Sequence, residues 1–494
     1  MSRIAGRVCL AVFLSLILRG AAAAQLIGVK SIPVAAGDQF RIQPSSNAAL
    51  GDLSIALIDP LLDPWINPAA GSRWTEPRLW VAPMFYSVSG DDGSVRTLPA
   101  GASFTGRSWF GGLSFTLQQV NGAQPRQPIF VRQVLPGALQ APLRDRASNM
   151  YATALLGARI PGTRLSVGAS ASLADLTAVD GVDLLYALSS NIEQTGHIAD
   201  FRVGVTGETA IGGEFQAILL HNRFAMTHEV TYQEWWAVDP VPCEVSCGQP
   251  GSRTETNHDR TNAWGVHLGY RRPVGDHGWT VGGILTANRQ THPGIPNYEI
   301  ANIPRDPGTS WAWNFGLGAA RAFGPAVFGV DVIWEPIASH TWAEAASEIV
   351  TPDGRRIRGG EKTVDNEFDF ANAIVRIGAG RETDRWGFQL GLHVHSYSYG
   401  LDQHDIVLDT RRRQNESWME WTPTWGAALK FPELEIRYAG RLTTGTGRPG
   451  VAWGGNAWGR LDAATNFIVA PSGPLTLQDA TVLTHQLTVS LPIR

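Results

Sequence analysis

Lysine is almost missing from this chain: it occurs only at Lys30, Lys362 and Lys430, and the other basic side chains are arginines and histidines. The formal net charge is -4 at pH 7, so there is no basic surplus to support a nucleic-acid partner, which normally selects a basic patch or stripe. Cysteine is equally scarce, at three residues. Cys243 and Cys247 stand in a polar stretch beside Pro242, Gly248 and Pro250, which in an oxidising compartment reads as a disulfide-closed loop tip rather than a metal site. Even with His258 they fall short of the four protein ligands of a structural zinc centre, so neither a metal nor another cofactor is expected.

Long apolar runs are missing too. Arg3 and Arg7, an apolar stretch from Val8 to Leu18, and Ala22 and Ala24 before Gln25 read as an export signal over residues 1–24. Cys9 lies inside that stretch, away from the mature start near Gln25, so a lipid-anchored N-terminus is not expected. Beyond it nothing approaches the roughly 18–20 apolar residues of a spanning helix. A helical membrane protein is thereby excluded.

What the chain does have is glycine (54) and tryptophan (18), together with period-two alternation. Trp264, Val266, Leu268 and Tyr270 oppose Gly265, His267, Gly269 and Arg271. Trp386, Phe388, Leu390, Leu392 and Val394 oppose Gly387, Gln389, Gly391, His393 and His395, and Leu434, Ile436 and Tyr438 oppose Glu435 and Arg437. A soluble β-sandwich alternates as well. Two further patterns favour a membrane wall: tight turns at 160–162, 322–325, 381–385 and 431–433 alternate with polar stretches of roughly 25–40 residues, and tryptophans mark both strand ends. Trp109, Trp279 and Trp386 open strands leaving short turns; Trp264, Trp313 and Trp425 open strands returning from long ones.

The expected fold is therefore all-β: an antiparallel transmembrane up-and-down β-barrel of the bacterial outer membrane over residues 79–494. Six hairpins (151–159 with 163–171, 200–206 with 213–222, 264–271 with 279–287, 313–321 with 326–335, 373–380 with 386–396, 424–430 with 434–441) plus 109–119 and 481–491 give about 14 strands. If residues 79–87 also form wall, another strand is required between 120 and 150 and the count is about 16. The apolar faces should meet lipid, and Arg164, Arg202, Arg271, Glu435 and Arg437 the lumen. Such barrels commonly end on an aromatic residue; this one ends Pro492-Ile493-Arg494.

Residues 25–78 do not read as wall. Asp59-Pro60, Asp63-Pro64 and Asn67-Pro68 favour turns, because proline sets its own φ and pushes the preceding residue out of the helical region. A compact N-terminal plug is expected. Gly51 and Ala56, in a G-x4-A spacing, precede Asn67-Pro68-Ala69, with Ala70 intervening before Gly71. This arrangement resembles the FadL family of outer-membrane transporters for hydrophobic compounds and its relatives among secretion-system barrels. The resemblance implies a hatch filling the barrel, Asn67, Pro68 and Ala69 seating it at the periplasmic end, and sideways exit of substrate through a kinked wall strand.

Tyr232, Trp235 and Trp236, in the stretch 223–262, are candidates for an external patch capturing a hydrophobic molecule, with packing of the loop as the alternative. Arg411, Arg412 and Arg413 are candidates for lipid phosphate, or a solvated loop. His221, His228, His393 and His395 raise an enzyme reading, but no local motif accompanies them and none is expected to be catalytic. The expected function is passive uptake of small hydrophobic molecules, of fatty-acid or hydrocarbon type, by a monomer embedded in outer-membrane lipid. A scaffold barrel binding an envelope or secretion partner, and a general porin, are the alternatives.

Overall fold

The computed structural model describes residues 26–35, 37, 39–90, 93–121, 147–180, 182, 191–237, 248–293, 307–345, 347–449, 461–462, 467–468 and 477–493. The export signal expected at 1–24 and the disulfide expected at Cys243 and Cys247 lie outside them.

Alternation becomes a single closed antiparallel sheet of 16 wall strands. The first, β1, is made of two aligned pieces, Arg78–Val81 and Met84–Val88. There follow β2 (Ser94–Thr105), β3 (Trp109–Asn121), β4 (Ala147–Arg159), β5 (Leu165–Leu176), β6 (Asn191–Glu208), β7 (Glu214–Ala237) and β8 (Gly248–Val274). The second half comprises β9 (Trp279–Thr291), β10 (Gly308–Phe323), β11 (Ala326–Glu344), β12 (Lys362–Glu382), β13 (Trp386–Asp405), β14 (Thr410–Lys430), β15 (Glu435–Pro449) and β16 (Leu477–Pro492). Both pieces of β1 pair with β2 on one side and β16 on the other, so no edge is left unpaired.

The outer face is apolar. Leu317 is 74% exposed, Leu390 66% and Leu156 65%, whereas inward neighbours such as His267 (5%) and Asn372 (0%) are covered. An apolar band encircling the molecule far exceeds what water tolerates on a monomer, and it matches the lipid-facing belt of an outer-membrane barrel. The protein is an outer-membrane β-barrel. Its short turns form the periplasmic rim, where Arg78 of β1 meets Pro492 of β16.

Two expectations are corrected. The strand that raises the count to 16 is β2, at 94–105, and not a segment between 120 and 150; residues 122–146 are outside the described residues. Its Leu-Pro-Ala-Gly-Ala run imitates a turn, yet it pairs in register with β3 from Ser94 to Thr105. Secondly, several stretches expected as long loops are strands. β13 and β14 remain paired to Asp405 and Thr410, leaving four residues between them, and β7 and β8 remain paired to Ala237 and Gly248. Above the bilayer both faces of a ribbon are wet, so the hydrophobic period vanishes while the hydrogen-bonded ladder continues. Trp264, Trp313 and Trp425 consequently lie within strands, not at their starts.

Leu317→Arg places a charge on the lipid face and is expected to lower folding stability in lipid vesicles by about 2–4 kcal/mol, as read from urea titration of tryptophan fluorescence. A change within error would contradict the assignment of the outer face.

Candidate functional site

The described residues between 26 and 77 lie against the inward-facing side of the wall and are held by their own short-range chemistry. The Asp59 carboxylate accepts six hydrogen bonds: from Ser45 Oγ (2.5 Å), Ser46 N (3.0 Å), Ser46 Oγ (2.6 Å), Asn47 N (3.1 Å), Leu61 N (3.1 Å) and Leu62 N (3.0 Å). That one side chain ties the turn at 45–47 to the start of a four-residue helix, α1 (Asp63–Ile66), opened by Pro64 near its N-terminus where a missing N–H is harmless. Asn67 is 1% exposed and caps the 3-10 turn Pro68–Arg73 by accepting from Ala69 N at 3.1 Å. Its amide also donates to Val205 O (3.4 Å) and Gln216 Oε1 (3.3 Å) on β6 and β7. The sequence-predicted turn residues thus sit at the short-turn end of the barrel.

Wall glycines make the fit. A Cβ on Gly204 would fall 2.0 Å from Asn67 Oδ1, and one on Gly168 2.6 Å from the Pro68 carbonyl carbon. Opposite, the turn Ala48–Leu50 lies on β12–β14, where a Cβ on Gly391 would come within 2.2 Å of Gly51 N and one on Gly378 within 2.4 Å of Leu50 O. Polar wall groups complete the seat. Thr424 Oγ1 donates to Ala49 O (2.9 Å) and accepts from Gly51 N (3.0 Å); Asp331 accepts from Ser54 N (2.8 Å) and Ile55 N (3.2 Å). Nearer the external end, Gly447 of β15 exchanges hydrogen bonds with Ala35 and Pro33.

Charges in the interior are neutralised locally. Asp52, in the left-handed region at φ 64°, meets Arg41 and Arg441, with His393 Nδ1 at 3.7 Å. Burial opposes its ionisation, but Arg41 and His393 outweigh burial and hold the carboxyl well below its usual range. Arg73 bridges Asp63 (3.1 Å) to Glu214, which also pairs with Arg271 (2.8 Å). Burial and the nearby Asp59 carboxylate nevertheless push Asp63 up to about 7. His395 faces Glu335 at 3.6 Å, and His221 bonds Asn262 Oδ1 at 2.7 Å. His393 and His395 therefore contact carboxylates of the plug and wall.

The feature sequence reading missed is in the wall. Between its two pieces β1 passes through Ala82 and Pro83, facing Leu98 and Pro99 of β2 at constant register. Ala82 N donates to Pro99 O (2.9 Å) and Leu487 N to Pro83 O (2.9 Å), but proline cannot return either bond. Two ladder bonds are thus lost at one level, one on each side of β1. Inside, this level lies between two apolar clusters: Trp65, Trp80, Ala82, Phe110 and Leu155 toward the periplasm, and Met84, Tyr86, Val95, Val120 and Val482 toward the exterior. Outside, Pro83, Phe85, Leu98, Tyr438, His485 and Leu487 line a groove of about 540 Å³. Pro83 and Pro99 in otherwise strand-like segments were the available signal.

Tyr232, Trp235 and Trp236 lie on β7, not on a loop, with backbones opposite Arg253, Pro250 and Gln249. Tyr232 is some sixteen residues beyond Gln216, the partner of Asn67, or about 50 Å along the strand. The two sequence-predicted sites are not brought together. Arg411–Arg413 lie on β14, alternating between its faces, with Arg413 paired to Asp402 at 2.9 Å.

No family model and no curated protein matches the chain. Among solved structures it is similar to a Pseudomonas aeruginosa FadL homologue (12% identity, TM-score 0.41, covering 91% of this chain and 99% of that one). It is also similar to the Pseudomonas putida toluene transporter TodX (10%, 0.39, covering 90% and 97%) and the Ralstonia pickettii toluene transporter TbuX (9%, 0.41, covering 92% and 100%).

Gly391→Val is expected to displace the Ala48–Leu50 turn at a cost of about 1–3 kcal/mol, visible as faster protease cleavage within residues 26–77 of the folded barrel. Unchanged cleavage would show that the close approach is not needed. The half-buried carboxylates of Asp63 and Asp52 have opposite linkage. Asp63 is raised above its ordinary 3.8, so its contribution is full below about pH 4 and is lost as pH rises through about 7; that of Asp52 is present above pH 4 and lost on acidification. Asp63→Asn should abolish the decline in thermal midpoint between pH 4 and 7. A decline that persists in the variant would exclude Asp63 as its source.

Proposed function

We propose that the protein carries small hydrophobic molecules passively across the outer membrane, with residues 26–77 acting as a hatch and the wall at Ala82–Pro83 as a lateral exit. The observation that carries this reading is the level at which Pro83 and Pro99 delete two ladder bonds. There apolar clusters lie above and below the gap on the inside, with Thr97 and Gln486 buried at its level, and the exterior is a groove in the lipid-facing surface. A greasy molecule passing outward there moves from aromatic surroundings to the lipid face without entering bulk water. Binding affinity and a concentration gradient suffice to drive it, and no nucleotide is required.

A general porin fits less well. Three of the four arginines expected to line open water are bonded instead: Arg202 to Asp200 and Ile66 O, Arg271 to Glu214 and Leu57 O, and Arg437 to Glu382 and Glu435; Arg164 is exposed in the turn before β5 rather than in the lumen. A scaffold role draws on the paired ribbons β7–β8 and β13–β14, which project past the bilayer as a surface for another envelope protein.

Restoring both N–H groups with P83A/P99A should stabilise the wall by about 1–3 kcal/mol and slow protein-dependent uptake of a labelled long-chain fatty acid or aromatic hydrocarbon into proteoliposomes several-fold. Uptake equal to that of empty liposomes in the unmodified protein would end the transport reading; equal uptake by the variant would end the lateral-exit reading. Large steady current in a planar bilayer would favour the porin. A stoichiometric co-purifying partner, with a bore closed to solutes, would favour the scaffold.

A further inference from the structure

The outer face changes from greasy to basic at one height on β7, β8 and β9. On β9, Arg289 stands ten residues beyond Trp279, about 33 Å along the strand. At a strand tilt of about 35–45° this spans about 25 Å across the membrane, the height of the apolar band of such a barrel. Arg289 is flanked at its own level by Trp264 of β8 and Trp311 of β10, which are 46% and 36% exposed on the same outer face. Trp279 and these two tryptophans therefore mark the two interfaces, and Arg289 lies at the external one. Beneath that height the outward residues include Leu219, Leu268, Leu285 and Phe315; at and above it they include Arg223, Arg260 and Arg289, all exposed.

Strand register fixes how the three arginines stand to one another. Arg289 is opposite Trp264; Arg223 is opposite Asn262, the next outward position of β8, and Arg260 is the next again, opposite Ala225. Strand spacing and rise put their Cα atoms at the corners of a triangle with sides of about 7–14 Å. Between them His221 stacks on Trp264 with ring centroids 4.2 Å apart and bonds Asn262 Oδ1 at 2.7 Å, while Arg289 Cζ lies 6.0 Å from the Trp311 centroid. Among the described residues no carboxylate pairs with Arg223, Arg260 or Arg289. Arg73, Arg271 and Arg437 in the lumen differ, each having a carboxylate partner. The patch also has a border: at the height of Arg289, three strands on, β12 presents Asp369, opposite Ala338, and then Glu367.

We propose that the external girdle of β7–β9 binds one phosphorylated glycolipid of the outer leaflet, its phosphates held by Arg223, Arg260 and Arg289 and its acyl chains lying on the wall beneath. Charge complementarity and depth name the occupant. Guanidinium forks match phosphate oxygens, and the three are spread over a width that suits a sugar headgroup carrying two phosphates, each taken by a different arginine. A soluble anion would have no use for the apolar surface that begins directly below, where Leu219, Leu268, Leu285 and Phe315 are 41–47% exposed. A lipid of the periplasmic leaflet has its headgroup at the level of Trp279, the full height of the band away. The bound glycolipid braces the roots of the β7–β8 ribbon, and its binding does not depend on transport through the wall.

The test uses the full-length folded barrel in mild detergent, titrated with bis-phosphorylated lipid A and observed by native mass spectrometry, with heat-modifiable electrophoretic mobility to verify folding. One retained lipid A is expected per barrel, falling about tenfold or more in R223A/R260A/R289A, the loss appropriate to several charged hydrogen-bond donors. Lipid A stripped of its phosphates should be retained about tenfold less by the unmodified protein. R411A/R413A, whose arginines lie on β14 outside the patch, should retain lipid A as the unmodified protein does. Equal retention by the folded triple variant, equal retention of the dephosphorylated lipid, or an equal loss in R411A/R413A would overturn the proposal. So would release of the lipid by an equimolar amount of inorganic phosphate, or a triple variant that loses a co-purifying acidic protein and keeps its lipid.

Discussion

A peptide backbone enclosed by a barrel must find its hydrogen-bond partners without bulk water, and that requirement governs how residues 26–77 lie. Each N–H or C=O left unmatched there would cost about 1–3 kcal/mol. The wall answers with specific groups: Thr424 for Ala49 and Gly51, Asp331 for Ser54 and Ile55, Gln290 for the Ile27 carbonyl, and Gly447 for Pro33 and Ala35. These partners come from four separate strands, β9, β11, β14 and β15, so the segment has one register in which all are met. Glycine at 168, 204, 378 and 391 is the steric side of the same requirement, because hydrogen bonds of normal length are out of reach if a Cβ holds the two backbones apart.

The proline gap lies beside the most aromatic part of the interior. Around β1 the interior is lined by Trp65, Trp80, Phe110, Tyr86 and Val95, set among hydrogen bonds from Gln43 to Ser114 and between Gln39 and Gln118. Dispersion contacts are non-directional and can be exchanged for others at small cost, whereas a displaced Asp331 or Thr424 bond leaves a buried donor or acceptor without a partner. The barrel is thus rigid where the segment is hydrogen-bonded to it and adaptable where it is merely packed. Placing the missing ladder bonds on the adaptable side leaves the polar seat at β12–β14 undisturbed.

Legibility in the sequence followed the environment of each residue. Strands such as 109–121 and 386–405 were readable over the part that meets lipid on one face and the lumen on the other, because only that difference creates period-two alternation. Beyond the bilayer, Thr410–Ser417 is polar on both faces and reads as loop, although it pairs in β14. Ser94–Thr105 was hidden by Pro99 and Gly101, which locally favour a turn and are overruled by pairing with β1 and β3. The Asn67-Pro68-Ala69 turn was readable because its capping bond spans two residues. Ser54 and Asp331, 277 residues apart, leave no trace in either local pattern.

By itself, then, the amino-acid order determined the class: a turn-rich segment and a greasy-outward antiparallel wall closing on itself. The tertiary structure alone decided which glycines receive the inner segment, which carboxylates are shared by which arginines, and that Pro83 and Pro99 fall at one level. The reason is range. Alternation and capping act between residues a few positions apart, while seating and the gap arise from strand register, which brings distant residues together only once the sheet has closed.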